Sequence, residues 1–176
     1  EALNLFGEGE TIFNNAPEFH NEYARVLLET GNQIKAIAEF NQALTTVPNT
    51  SDLETVKAVN RIQAESHYSL ARIYFDRSDY ALAEKQLQAC LSKNPDHLDA
   101  LLLATTNAIK HQQLEKALAH LVHLVDRPEE NTFSTEDILA NLPEVIGSQL
   151  LEKAYMKAGN ENAAQEVRSI RTSESP

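Results

Sequence analysis

The chain has no tryptophan, one cysteine and one methionine among 176 residues. A single cysteine excludes an internal disulfide framework and a cysteine-rich zinc site, and it leaves the redox compartment open. Five glycines and six prolines are too few for long flexible linkers. No apolar run approaches the roughly 18 residues needed to cross a bilayer, and no signal-peptide pattern is visible, so direct membrane insertion is not expected. Glu1 in place of methionine is expected of a mature or trimmed piece of a longer chain. The compartment therefore stays open: a soluble protein, cytoplasmic or bacterial periplasmic. Positive charge is scarce, with 15 Lys and Arg against 26 Asp and Glu, for a net charge of −11. That balance disfavours nucleic acid and anionic membranes, which need a basic face to release counterions, and mildly favours basic partners. It also serves simply to keep a surface soluble. Catalytic equipment is missing too. There is no glycine-rich phosphate loop, nucleophile elbow or paired-histidine motif, so neither enzyme activity nor a cofactor is expected.

What is present is helical periodicity. Hydrophobic residues make up 42% of the chain, enough for a sizeable core. Residues 64–95 read as two antiparallel helices. Leu70, Ala71 and Tyr74 form one stripe, Ala83, Leu87 and Cys90 the other, with Asp76-Arg77-Ser78-Asp79 between them and Pro95 as the stop. Ala71 and Ala83 let two backbones approach closely. Such a hairpin is apolar on both broad sides and needs copies of itself to stack against. A second copy supplies Tyr23, Ala24, Leu27, Gly31, Ala36, Phe40, Ala43 and Pro48. A third supplies Leu101, Ala104, Thr105, Ala108, Gln112, Ala117, Leu121 and Leu124, with Pro128 one step early. A fourth keeps Leu151, Tyr155, Gly159 and Ala164, but places Glu152 and Arg168 at steps that call for small and large apolar residues.

These four partial matches in one frame resemble the tetratricopeptide repeat, with Ser78 where that family often has Gly and Cys90 where it prefers Ala. The resemblance implies an all-α, right-handed superhelical solenoid spanning 1–176 as one array. Residues 1–15 are expected as the second helix of a preceding repeat or an N-terminal helix, with Ala2 and Phe6 in register with Ala36 and Phe40. Repeats follow at 17–48, 64–95 and 98–129, with a degenerate capping repeat at 145–171 and a frayed tail at 172–176. Tyr23, Tyr74 and Tyr155 are expected to occupy equivalent places in their hairpins. Between the repeats, 49–63 is expected as a helical extension with a Ser51–Glu54 capping signature, continuing from near Asp52 into Phe75 without a break. Residues 130–144 are expected as an insertion with a short helix capped by Ser134-Thr135-Glu136-Asp137 and interrupted by Pro143. The spacing of 47, 34 and 47 residues between Ala36, Ala83, Ala117 and Ala164 fits either a duplicated two-hairpin unit or independent insertions.

In the family, first helices line a concave groove that holds a peptide. The resemblance places there Asn21, Arg25, Leu28 and Glu29, then Glu65, Tyr68, Arg72, Phe75 and Asp76. Leu102, Thr106, Ile109 and Lys110 follow, then Gln149, Lys153 and Met156. Aromatic residues flanked by arginine suit peptide anchoring. The alternative is that Tyr68 and Phe75 pack against neighbouring first helices. Asn21, Ser69, Leu102 and Thr106 stand where a basic carboxylate clamp needs other residues, so capture of a chaperone C-terminus is not expected. The expected partner is thus a protein or peptide segment, with the chain acting as an interaction scaffold. Alternatives are a structural spacer that self-associates through the N-terminal helix or residues 52–63, and a regulatory module fused to an enzyme. Cys90 is expected as a buried structural thiol. His120, His123 and Asp126 stand at i, i+3 and i+6, but on steps the family turns to solvent and without evident supporting partners, so no metal is expected. Asn49-Thr50-Ser51 fits the glycosylation pattern, which recurs often by chance.

Overall fold

Among the described residues, four with positive φ punctuate the chain: Gly31 (79°), Ser78 (61°), Gln112 (60°) and Gly159 (79°). They stand 47, 34 and 47 residues apart. Each closes a helix in the same way. The amide of the next residue donates back to the carbonyl four before the turn residue: Asn32 to Leu27, Asp79 to Tyr74, Gln113 to Ala108 and Asn160 to Tyr155, at 2.7–2.9 Å. Five residues after each turn comes a buried alanine, Ala36, Ala83, Ala117 or Ala164, where the returning helix crosses its partner.

The computed structural model describes residues 16–45, 52–126 and 133–173, with Phe6, Gly9 and Phe13 ahead of them. Within these lie α1 (Pro17–Glu29), α2 (Gln33–Thr45), α3 (Leu53–Asp76), α4 (Tyr80–Lys93), α5 (Leu98–Lys110), α6 (Leu114–Val125), α7 (Thr135–Ala140), α8 (Glu144–Lys157) and α9 (Glu161–Ser173). No strand occurs among the described residues. The pairs α1–α2, α3–α4, α5–α6 and α8–α9 are hairpins, and each second helix packs on the first helix of the next pair. Leu27, Phe40 and Leu70 join the first two pairs in one core, Ala71, Leu87, Cys90 and Ala100 continue it, and Leu101, Leu121, Leu151 and Val167 fill the last two.

Local chemistry sets the boundaries. Pro17 opens α1, where its missing N–H is not needed. The Asp79 carboxylate accepts from the Leu82 amide to cap α4, and His97 Nδ1 accepts from the Ala100 amide to cap α5. Ser134 and Asp137 form a reciprocal capping box on α7. The extension runs unbroken as the opening half of α3, but its cap differs from expectation. Asp52, one residue past Ser51, accepts from both the amide and the hydroxyl of Thr55.

One further difference concerns the tyrosines. Tyr74 and Tyr155 do occupy matching places, their carbonyls closing the Schellman turn, but Leu27 holds that place in the first hairpin and Tyr23 sits one turn earlier. Thr172 and Ser173 belong to α9, the Thr172 hydroxyl bonding the Ser169 carbonyl, and the rest of the expected tail, 174–176, lies outside the described residues. Glu152 and Arg168, which break the apolar pattern, meet each other: Arg168 Nε lies 3.0 Å and Arg171 Nη2 2.8 Å from the Glu152 carboxylate. The preceding-helix expectation falls mostly outside the described residues, although the Phe6 ring stacks 5.2 Å from Tyr23. Pro48, Asn49-Thr50-Ser51 and Pro128 also lie outside them.

Candidate interaction groove

Counting back from each left-handed turn residue puts the inner-face candidates in columns. Ten back stand Asn21, Tyr68, Leu102 and Gln149; six back, Arg25, Arg72, Thr106 and Lys153; two back, Glu29, Asp76 and Lys110. At the first two hairpins these columns frame one cleft of about 450 Å³ between α1 and α3, lined by Arg25, Leu28, Glu29, Gln33, Ser69, Arg72, Ile73 and Asp76. Arg77 Nε donates to Gln33 Oε1 at 3.1 Å and closes the end of the cleft nearest the turns. Gln33 and Ile73 were not among the sequence candidates, although Ile73 adjoins Arg72 and Gln33 begins the helix after Glu29.

The remaining candidates divide. Asn21 is buried and donates to the Ser66 hydroxyl at 2.7 Å, tying α1 to α3 beneath the surface. Tyr68 is half-buried against the His97 ring, 4.8 Å between centroids, with the Arg72 guanidinium 5.9 Å from its ring centre. Burial, then nearby Asp99, raises the Tyr68 phenol above its ordinary range. Phe75 packs on Tyr80 of its own hairpin, at 5.7 Å. Tyr68 thus packs on His97 and on the cluster that holds Ala100 and Ala104 of α5, the next first helix, while Phe75 rests on Tyr80 of α4. Tyr68 keeps an edge near the cleft through Arg72.

At the third hairpin the inner face is covered. Leu102 and Ile109 are buried in one cluster with Ile138 of α7 and Leu142 just after it. The Thr106 hydroxyl donates to the Asn141 carbonyl at 3.1 Å. Leu142 comes so close to α8 that a Cβ on Gly147 would stand 2.5 Å from its own Cβ. Leu102 and Thr106 therefore serve the packing of α7 and do not face an open groove. The signal for this was in the columns, where Leu102 and Ile109 bring apolar side chains to steps that in the first hairpin carry Asn21 and the partly buried Leu28. Lys110, Lys153 and Met156 are exposed but do not border the α1–α3 cleft.

The other chemistry-bearing residues are structural. Cys90 is fully buried and its thiol is pushed up to about 12 by desolvation, then by Glu65. His120 lies in the wall of an apolar concavity with Leu87, Leu91, Ala104 and Ala119, and burial lowers its pKa. His123 Nε2 is 3.9 Å from Asp96. Among the described residues no three His, Cys, Asp or Glu side chains form a group able to hold a metal, and no described helix is long and apolar enough to cross a membrane. His20 Nδ1 meets Glu39 at 2.8 Å and His67 Nδ1 meets Gln86 at 2.7 Å, the same inter-helix position in successive hairpins.

Stacked helical hairpins with matching turns and an inner cleft define a helical-repeat solenoid of tetratricopeptide type. Residues 64–97 match the family model for the tetratricopeptide repeat, so this stretch, α3 from Ala64 through α4 to the cap of α5, is such a repeat. Two solved structures share the fold. One is the MamA RS-1 ArsTM double mutant, with a TM-score of 0.59 and 19% identity, covering 98% of this chain and 83% of that one. The other is MamA, with a TM-score of 0.53 and 14% identity over 94% of this chain and 82% of that one. No curated protein matches the chain in sequence.

Proposed function

We propose that the chain is a protein-interaction scaffold whose inner face at the first two hairpins holds a peptide segment of a partner. The observation that carries this reading is the α1–α3 cleft, with apolar Leu28 and Ile73 set between Arg25 and Arg72 and a row of carboxylates beside them. Packed hairpins supply a rigid wall, so a bound segment bears most of the ordering entropy itself. The half-buried Tyr68 and the Arg72 above it supply anchor chemistry at one edge. A photo-crosslinking residue at Ser69 is expected to capture partner chains from the native source, while one at Lys85 on α4 is not. Combined Arg72→Ala and Tyr68→Ala replacement is expected to abolish the Ser69 adduct. Equal capture at both sites, or capture indifferent to the replacements, removes the cleft from the account.

A second reading rests on a separate feature. Leu53 and Val56, one turn apart at the start of α3, are 63% and 39% exposed. A spacer that pairs through this extension explains that stripe. Light scattering at high concentration decides it: a dimer that Leu53→Glu and Val56→Glu dissolve supports self-association, and a monomer at all concentrations ends it.

A further inference from the structure

We propose that the occupant of the α1–α3 cleft is an extended segment bearing an acidic and a basic side chain separated by one residue, held by the first two hairpins alone. This rests on the peptide-groove reading and specifies what that groove selects.

The cleft carries charge in two rows. Arg25 and Arg72 occupy the same position in successive hairpins, and Glu29 and Asp76 stand one helical turn further along. Each arginine therefore has a carboxylate four residues on, a spacing at which helix ion pairs form. Neither pair closes. Arg25 turns back to Glu22 at 3.1 Å, and Arg72 lies over the Tyr68 ring. Glu29 and Asp76 have no hydrogen-bond or ion-pair partner among the described residues. Two positive and two negative groups thus line one concavity without pairing to one another, Arg25 being held by Glu22 instead.

An extended chain places same-side residues about 6.8 Å apart, close to the ~5.4 Å of one helical turn. A strand laid along α1 and α3 therefore sets one side chain on the arginine row and the next but one on the carboxylate row. Opposite charges at that spacing match in either chain direction, while two like charges put one of them against its own sign. The footprint ends at the second hairpin because Ile138, Leu142 and the Asn141 carbonyl already occupy the inner face of the third.

The test is selection of a random peptide display library on the full chain, followed by fluorescence polarisation of the recovered peptides. The expected result is enrichment of peptides with opposite charges two positions apart. Replacing either charge by Ala is expected to weaken binding by up to about fivefold, the upper end for exposed ion pairs. Arg25→Glu with Arg72→Glu is expected to weaken the selected peptides further and to favour versions whose acid is changed to lysine. Ser69→Trp, a steric block that leaves charge unaltered, reports on use of the cleft itself. Peptides blocked by Ser69→Trp but lacking the charge spacing overturn the inference and leave the groove reading standing. Peptides indifferent to Ser69→Trp, or no enrichment at all, overturn both.

Discussion

The Thr106 hydroxyl on α5 donates to the backbone carbonyl of Asn141, 35 residues later, and this bond pins the end of α7 against the inner face of the third hairpin. Below it, Ile138 and Leu142 fill the space beside Leu102 and Ile109, and Gly147 gives Leu142 room against α8. The scaffold is thereby asymmetric: open between α1 and α3, filled between α5 and α8.

The wedge is expected to be a stabilising part of the core. Ile138→Ala should cost about 2–4 kcal/mol, because a buried isoleucine leaves a cavity. Gly147→Ala should cost about 1–3 kcal/mol by overpacking against Leu142. Urea unfolding curves with unchanged slopes measure both.

The turns separate backbone strain from packing. Gly31 and Gly159 have open space around them, so Ala at either loses stability through positive φ alone, by about 1 kcal/mol. Ser78→Gly and Gln112→Gly should each gain up to about 1 kcal/mol, the added flexibility of the unfolded chain limiting the gain. Thermal midpoints should rise for the second pair and fall for the first.

Glu152 stands with Arg168 and Arg171 where an apolar contact belongs, its side chain 16% exposed. The Arg168 hydrogen bonds hold its carboxyl below the ordinary glutamate range, with Arg171 assisting. Glu152→Ala alone should cost roughly 1 kcal/mol by removing the carboxylate that Arg168 and Arg171 share. The double replacement Glu152→Ala with Arg168→Leu should recover most of that, since an apolar pair of similar volume commonly equals a salt bridge. A double-mutant cycle in low and high salt reads the coupling.

Acid should destabilise the fold in two stages. Burial lowers the pKa of His67 and of His120 below 6.5, so the unfolded chain takes up their protons first and stability declines as pH falls from about 6.5 toward the lower folded values. Glu84 and Glu152 are held below 4.5, chiefly by hydrogen bonds from Lys116 and Arg168, and stability declines again as pH drops through that range. His67→Gln with His120→Gln should flatten the first stage of a plot of Tm against pH and leave the second.

Cys90 gives a direct reading of native packing. With its thiol fully buried and pushed up to about 12, it should resist an aromatic disulfide reagent at pH 8 in the folded state. Its labelling rate should follow global unfolding, rising in step with urea. Fast labelling of the native protein would mean that α4 opens on its own.

Much of this architecture is legible in the residues. Ala36, Ala83, Ala117 and Ala164 mark the helix crossings, and the glycines at 31 and 159 mark two of the turns, because a left-handed residue and a small crossing residue are local needs with few solutions. Ser78 and Gln112 fill the same turn with ordinary side chains, so there the register comes from the neighbouring alanines. The charged columns of Arg25, Arg72, Glu29 and Asp76 follow from helical periodicity once the register is known. Placement beneath the surface was not legible at Asn21, whose short polar side chain fits an exposed face as well as a buried bond to Ser66.

By itself, then, the sequence determined the hairpins, their spacing and the charge on each inner column, since these depend on contacts within about a turn or between adjacent helices. Only the tertiary structure decided which stretch of the inner face stays open. The break at Pro143 frees α7 to fold either outward or in. The outcome rests on Ile138 and Leu142 meeting Leu102 and Ile109, contacts between residues far apart in the chain whose apolar burial outweighs leaving that segment in water. In α3 no proline intervenes, the corresponding residues continue the helix, and the cleft beside Arg25 and Arg72 remains unfilled.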